Sequence, residues 1–365
     1  MKKSNLITTS IFCIFIFGFF IFNIVSPDKK FSELENRNLQ KFPELSFEAL
    51  FSGELSSDLD TYITDQFVLR DTFVEMKSNT EKALGKKENN GVYISTENTL
   101  IDKFGIPDYE NIDKNISSIN KFSEIVDIPV YVTIIPTQND ILSSILPKNA
   151  PINSQKEMID YVSDKTDNFI NVYDSLLAHK DEYIFYNTDH HFTSLGAFYT
   201  YEEIAKSLGK TPVKLEDYEK TTVTNEFNGT IFSKSGVRYV KPDSIDTYVE
   251  NKDILIEDGL GVRTAKMYDE TFLETKDKYS MFLGGNHPVV TIKGEGEGNL
   301  LIVKDSYSNA LAPFLSENYE NVHIVDLRFM KLPMSEYIVI NNITEVLVCY
   351  SAPNFESDVN MTFLK

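Results

Sequence analysis

From about residue 110 onward the chain alternates between two hydrophobic periodicities, and this alternation restricts the fold more than any other feature. Residues 129–136 hold the β-branched run Val130-Tyr131-Val132-Thr133-Ile134-Ile135 between two prolines, the pattern of a strand. Helical spacing precedes it over residues 111–125 and returns over 155–166. The pattern then predicts a strand at 169–173, a helix at 175–180, a strand at 183–186 and a helix over 194–208 that Gly209 closes. Farther on, 300–303, 322–325 and 345–350 read as strands, with helices at 309–317 and 334–341 between them. Strands and helices in strict turn build βαβ units, so the expected class is α/β around a mainly parallel sheet.

Residues 211–281 interrupt this rhythm. They are rich in Lys, Asp, Thr and Tyr, and Gly229, Gly236, Gly259 and Gly261 stand at turn positions. This predicts an inserted β-rich segment of short strands, a candidate cover for a site. Upstream, residues 26–47 are polar with Pro27 and Pro43, as in a tether. Leu69, Phe73, Met76, Thr80 and Leu84 recur at helical spacing, and 53–63 is a shorter amphipathic stretch. Val92-Tyr93-Ile94 starts a strand. The expected organisation is an anchor at 1–25, a tether and helical segment at 26–91, and an α/β domain at 92–365 with its insertion at about 211–281.

Leu6 to Val25 is a run of 20 residues interrupted only by Thr8, Thr9, Ser10 and Asn23. A helix needs about 20 apolar residues to cross a bilayer core. The exit Asn23-Ile24-Val25-Ser26-Pro27 is a poor cleavage site, so the run reads as an uncleaved single-pass anchor. Lys2 and Lys3 precede it, and Lys29, Lys30 and Arg37 follow, which leaves the charge rule nearly balanced. The expected orientation places the large domain outside the membrane. The chain carries 55 acidic and 35 basic side chains, a net charge of −20, and shows no basic footprint for nucleic acid. Its two cysteines, Cys13 and Cys349, provide neither a disulfide framework nor a Cys-based zinc cluster.

Three stretches carry candidate chemistry. In Asp189-His190-His191-Phe192 an Asp and a His two apart in an extended turn point the same way, so a carboxylate can orient an imidazole. The same residues could bind a metal, although His179, His287 and His323 show no ligand spacing to complete a site, or simply enter the helix that follows. Lys304-Asp305-Ser306-Tyr307 ends the run Leu300-Leu301-Ile302-Val303, which reads as a strand buried on both faces. A Ser at such a strand-to-helix turn stands at the top of the sheet near backbone N–H groups, or it may serve as a helix cap, as expected of Asp174-Ser175. Gly284-Gly285-Asn286-His287-Pro288 offers a glycine N–H and an amide as an oxyanion pair, or an ordinary turn.

Asp189-His190-His191-Phe192 resembles the signature of the DHHW family, with Phe in place of the last Trp. The resemblance extends to Ser32-Glu33-Leu34-Glu35-Asn36-Arg37, Asp65-Gln66-Phe67, Gly91-Val92-Tyr93-Ile94, the segment from Gly229-Thr230-Ile231 to Gly236, the Gly-Gly-Asn-His-Pro turn, Lys304-Asp305-Ser306-Tyr307 and Asp326-Leu327-Arg328. That family is similar to the SGNH-like acyltransferase domains of alginate O-acetylation. The resemblance implies an SGNH-hydrolase-like three-layer α/β/α sandwich and a triad of Ser306, His191 and Asp189. The Ser306 N–H, Gly284 or Gly285 and Asn286 would then hold the oxyanion, with His190 and Tyr307 in support. It further implies a membrane-bound O-acyltransferase as acyl donor, a cell-surface or secreted polysaccharide as acceptor, and no metal or other cofactor. An esterase with the same triad, or a non-catalytic protein of envelope assembly, are the competing expectations.

Overall fold

The computed structural model describes residues 3–32, 34–330 and 332–364. Lys2, Glu33 and the side chain of Lys3, which entered the charge and motif readings above, lie outside the described residues. By internal contacts the chain divides into residues 1–86 with 236–239, and residues 87–235 with 240–365.

The first unit begins with the helix Lys3–Val25. Its portion Asn5–Val25 is long and apolar enough to cross a membrane, and none of it is buried. Asn23 accepts a hydrogen bond from the Val68 N–H at 2.9 Å, and Phe19 meets Phe67 and Phe73. The helices Glu54–Asp65 and Arg70–Ala83 follow. Asp65 is buried and takes both guanidinium N–H groups of Arg37 at 2.5 and 2.8 Å. That pairing, against the cost of burial, holds the Asp65 carboxyl below its ordinary range.

The second unit is built on a seven-stranded sheet: β1 (Val130–Ile135), β2 (Asp253–Asp258), β3 (Gly261–Lys266), β4 (Val289–Lys293), β5 (Asn299–Lys304), β6 (Asn321–Val325) and β7 (Glu345–Ser351). Their order across the sheet is β3-β2-β4-β6-β5-β7-β1. β6, β5, β7 and β1 run parallel. β4, β2 and β3 add an antiparallel wing. Leu300 to Val303 of β5 are fully buried, as a central strand covered on both faces requires. β2 instead alternates buried and exposed residues, so its sheet is covered on one face there.

The flanking helices are α1 (Tyr109–Ile125), α2 (Gln155–Ser163), α3 (Ser194–Ser207), α4 (Ser308–Leu315) and α5 (Met334–Ile340). The side chains of Asp108, Ser154 and Thr193 accept from N–H groups of the first turns of α1, α2 and α3, and this fixes where those helices begin. α4 carries the chain from β5 to β6, and α5 carries it back across β5 to β7. Right-handed crossovers in opposite directions place α4 and α5 on opposite faces. α3 packs on α4, while α1 and α5 share contacts with the turn Met361–Leu364. The outcome is an SGNH-hydrolase-like α/β/α sandwich, and the direction of winding reverses at β5. Outside the carboxyl end of such a strand an open α/β sheet leaves a crevice.

Two expected strands do not form. At residues 169–173 a single bridge joins Phe169 to Val132, and the chain then enters the helix Tyr173–Ala178. At 183–186 the chain folds back on itself: Phe185 bridges Phe192, and the Thr193 N–H donates to the Ile184 carbonyl at 2.9 Å. Ile184, Phe185 and Tyr186 are all buried. A short run buried on every side carries no periodicity that separates a sheet strand from one arm of a tight hairpin. Asp189-His190-His191 therefore occupies a hairpin turn and does not follow a sheet strand. Residues 211–281 hold short strands, two of which are continuous with the central sheet. β2 and β3 lengthen the central sheet, Thr221–Phe227 pairs with Asp243–Thr247, and Thr230–Ser235 is a helix.

Candidate active site

The end of β5 and the 188–193 hairpin meet at the crevice. Ser306 Oγ lies 2.8 Å from His191 Nε2, and His191 Nδ1 lies 2.6 Å from Asp189 Oδ1. Asp189 and His191 are buried, while Ser306 is partly open. The remaining oxygen of Asp189 accepts from the Thr230 N–H at 2.7 Å and the Thr230 hydroxyl at 2.9 Å. Burial works against the charged carboxyl. The imidazoles of His190 and His191 and the Thr230 N–H outweigh it, so the group sits far below the usual carboxylate range. An ionised Asp189 can only accept, so His191 carries its proton on Nδ1 and leaves Nε2 free to receive the hydroxyl proton. Burial, reinforced by the nearby His190, pulls the His191 imidazole down to about 4 against the pull of Asp189. At neutral pH it is therefore the neutral base.

Neighbouring groups lock this geometry. The Tyr279 ring stacks on His191 at 3.7 Å and 7°, and its hydroxyl donates to the Ser306 carbonyl at 3.2 Å. The Tyr307 hydroxyl donates to the His190 carbonyl. Asp305 accepts the Tyr307 N–H on one oxygen at 3.0 Å. On the other it accepts the Ser351 N–H, the Ser351 hydroxyl and the Asn354 amide, at 2.9, 2.6 and 2.7 Å. The strand end that carries Ser306 is thereby tied to the end of β7. Asp243 accepts from the N–H groups of Asn187 and Thr188, both at 2.8 Å, and so holds the turn that precedes Asp189.

The Gly284-Gly285-Asn286 turn supplies fewer donors than its sequence promised. The Gly285 N–H is spent on the Phe282 carbonyl at 3.2 Å, because the chain turns there with Leu283, Gly284 and Gly285 all at positive φ. Gly284 N–H and Ser306 N–H have no backbone partner among the described residues. Asn286 Oδ1 accepts from Lys304 Nζ at 2.7 Å and from Asn309 Nδ2 at 3.3 Å, which leaves its NH2 as the group that can donate outward. Lys304 is buried. Burial pulls its ammonium down to about 8, against Asp326 at 3.7 Å.

Asp189, His190 and His191 also have ligand atoms within 4.8 Å of one another, the spacing of a metal cluster. The Asp189 oxygens already accept from His191 and Thr230, and His190 Nδ1 is bonded to Thr230 Oγ1 at 2.6 Å, so a cation would have to displace these bonds. His179 pairs with Glu182, His287 with the Gly284 carbonyl and His323 with Tyr337, all away from the cluster.

Thr230, Tyr279, Asn309 and Asp305 were assigned no role from the sequence. Gly229-Thr230 and Asp305 each stood in a motif block, and for Gly229 the structure supplies the reason. A Cβ on Gly229 would lie 2.2 Å from Asp189 Cβ and 2.4 Å from Asp189 Oδ2. Gly229→Ala is expected to displace Asp189 and destabilise the protein by about 1–3 kcal/mol, the range of an overpacked core. Thermal unfolding of the variant beside wild type measures it, and an unchanged midpoint would contradict the close approach.

The fold is a three-layer α/β sandwich, and at its switch point a serine, an imidazole and a carboxylate stand in line. The chain belongs to the DHHW family, whose model, described as DHHW protein, matches residues 93–325. Among solved structures it is similar to a DHHW family protein from Eubacterium siraeum, with 24% identity, 76% of this chain and 95% of that one covered, and a TM-score of 0.65. It is also similar to Bacillus cereus PatB1 with a sulfonyl adduct, at 21% identity, 75% and 98% coverage and a TM-score of 0.62. The O-acetyltransferase domain of Pseudomonas putida AlgJ matches at 12% identity, 73% and 93% coverage and a TM-score of 0.48. No curated protein matches the sequence.

Proposed function

We propose that this protein is a membrane-anchored, extracytoplasmic O-acyltransferase, acetyl by its family resemblance, that modifies a surface or secreted glycan through an acyl-enzyme on Ser306. The observation that carries the reading is the unbroken chain Ser306–His191–Asp189 at 2.8 and 2.6 Å. His191 Nε2 takes the Ser306 proton as Oγ attacks the carbonyl carbon of the acyl donor. The N–H groups of Ser306 and Gly284 and the amide of Asn286 face the charge that develops on the carbonyl oxygen. The imidazolium returns the proton to the leaving group. A glycan hydroxyl then attacks the acyl-enzyme, with His191 again as base, and Ser306 is regenerated. The acyl donor is a membrane-bound acyltransferase in this scheme, and the apolar N-terminal helix keeps the enzyme beside it.

The deciding experiment gives the full-length protein in detergent an acetyl ester, with and without glycans. Acetylated glycan supports transfer, whereas acetate release that no glycan alters marks an esterase. A pH profile tests the base. Only neutral His191 accepts the proton, and its imidazole titrates at about 4. The kcat/KM for p-nitrophenyl acetate is therefore expected to stay level from neutral pH down and to fall below about pH 4–5. A midpoint near the ordinary histidine value of about 6.5 would contradict the buried, neutral imidazole.

A further inference from the structure

A cavity of about 330 Å³ is lined by His190 and Tyr307, the chain neighbours of His191 and Ser306, by Ser351 and Asn354, and by Asn139 and Gln138. Its volume is at the small end of ligand pockets, about 300–1,000 Å³, which suits a monosaccharide-sized group.

Two side chains on its wall each carry a polar atom with no hydrogen bond among the described residues. Asn139 is buried, and its Nδ2 is committed to the Asp102 carbonyl at 3.0 Å, but its Oδ1 has no hydrogen-bond partner. A buried carbonyl oxygen left bare costs free energy that a ligand hydroxyl recovers. His190 contributes the second atom. Thr230 Oγ1 gives its own proton to Asp189 Oδ2, so it must accept at its contact with His190 Nδ1. His190 therefore donates from Nδ1, and its Nε2 is the ring nitrogen left for a ligand, on a side chain that remains one-third exposed. The charged side chains of the cavity wall are paired: Lys234 with Asp102 at 2.8 Å, and Lys103 with Glu88 at 2.6 Å.

We propose that this cavity is the subsite for the acyl-accepting sugar, a neutral polyol whose hydroxyls hydrogen-bond with His190 Nε2 and donate to Asn139 Oδ1. The proposal rests on the acyl-transfer reading above. It gives the two adjacent histidines different tasks: His191 moves the proton, and His190 positions the sugar that receives the acyl group. In the transfer step the sugar oxygen forms the new ester bond, the Ser306 ester bond breaks, and the sugar proton passes to His191 and on to Ser306 Oγ.

The test uses full-length protein in detergent, p-nitrophenyl acetate as donor, and methyl β-glucoside, methyl N-acetyl-β-glucosaminide and methyl β-glucuronide as probes. The p-nitrophenol burst reports acyl-enzyme formation, and the ratio of acetylated sugar to free acetate reports occupancy of the subsite. Wild type is expected to acetylate a neutral glycoside and to discriminate against the glucuronide. Asn139→Leu removes one acceptor. His190→Asn removes Nε2 yet can still donate to Thr230. Each is expected to lower the ratio about fivefold or more at subsaturating sugar, the effect of one lost hydrogen bond. A burst with an unchanged ratio in both variants overturns the subsite, as does equal use of the glucuronide by wild type. A wild-type burst with no sugar acetylated overturns the subsite while the nucleophile stands. Absence of any burst from wild type overturns the acyl-enzyme reading, and the subsite with it.

Discussion

Ser306→Ala is expected to abolish covalent capture of the protein by a sulfonyl fluoride and to lower acetyl transfer by roughly 10⁴-fold or more, the scale seen when a nucleophile is removed from such a relay. The serine differs from other surface hydroxyls because a neutral imidazole nitrogen stands 2.8 Å from its oxygen. Without that partner a hydroxyl is too weak a nucleophile at neutral pH to react at a useful rate. The removed oxygen makes no other hydrogen bond among the described residues, so the variant should unfold at the wild-type temperature. Intact-mass measurement after labelling, in parallel with a thermal melt, separates loss of chemistry from loss of fold. A labelled Ser306→Ala protein, or one that transfers acetyl at the wild-type rate, would remove Ser306 from the mechanism.

Asp189→Asn is expected to cost about 10³–10⁴ in kcat while leaving the fold in place, the scale of an orienting carboxylate turned into an amide. Its two oxygens face donors on both sides, His191 on one and Thr230 on the other. An asparagine has only one oxygen to offer. With that oxygen toward Thr230, its NH2 faces His191 Nδ1, which must then accept. The proton moves to Nε2, where it blocks transfer from Ser306. With the amide reversed, the NH2 opposes the Thr230 N–H. Steady-state kinetics of the variant measure the loss, and NMR of the imidazole nitrogens reads the tautomer. A variant with wild-type kcat would show that Asp189 only caps the turn.

Much of this arrangement is legible in the chain itself, for physical reasons that differ by residue. β5 was readable because four consecutive apolar residues between helical stretches fit a strand covered on both faces, and that places Ser306 at a sheet end. Asp189 and His191 were readable because two-residue spacing in extended chain is a local property. Their meeting with Ser306 was not, since 115 residues separate His191 from the serine. Only the family resemblance joined them. Thr230 and Tyr279 were illegible because a threonine and a tyrosine serve equally well almost anywhere, and only packing gives these two their tasks. Gly285 shows the reverse case. The sequence left it open between an oxyanion donor and an ordinary turn, and the turn consumes its N–H, a fact that only backbone geometry reveals. The hairpin at 183–193 was mistaken for a strand because full burial erases the alternation that marks a face.

The bolting of Asp305 to β7 has a bearing on turnover. Four donors from two chain segments grip one carboxylate immediately before the nucleophile. Order in that corner is therefore established once, when the polypeptide folds, and in the proposed reaction it would not have to be re-created at each turnover.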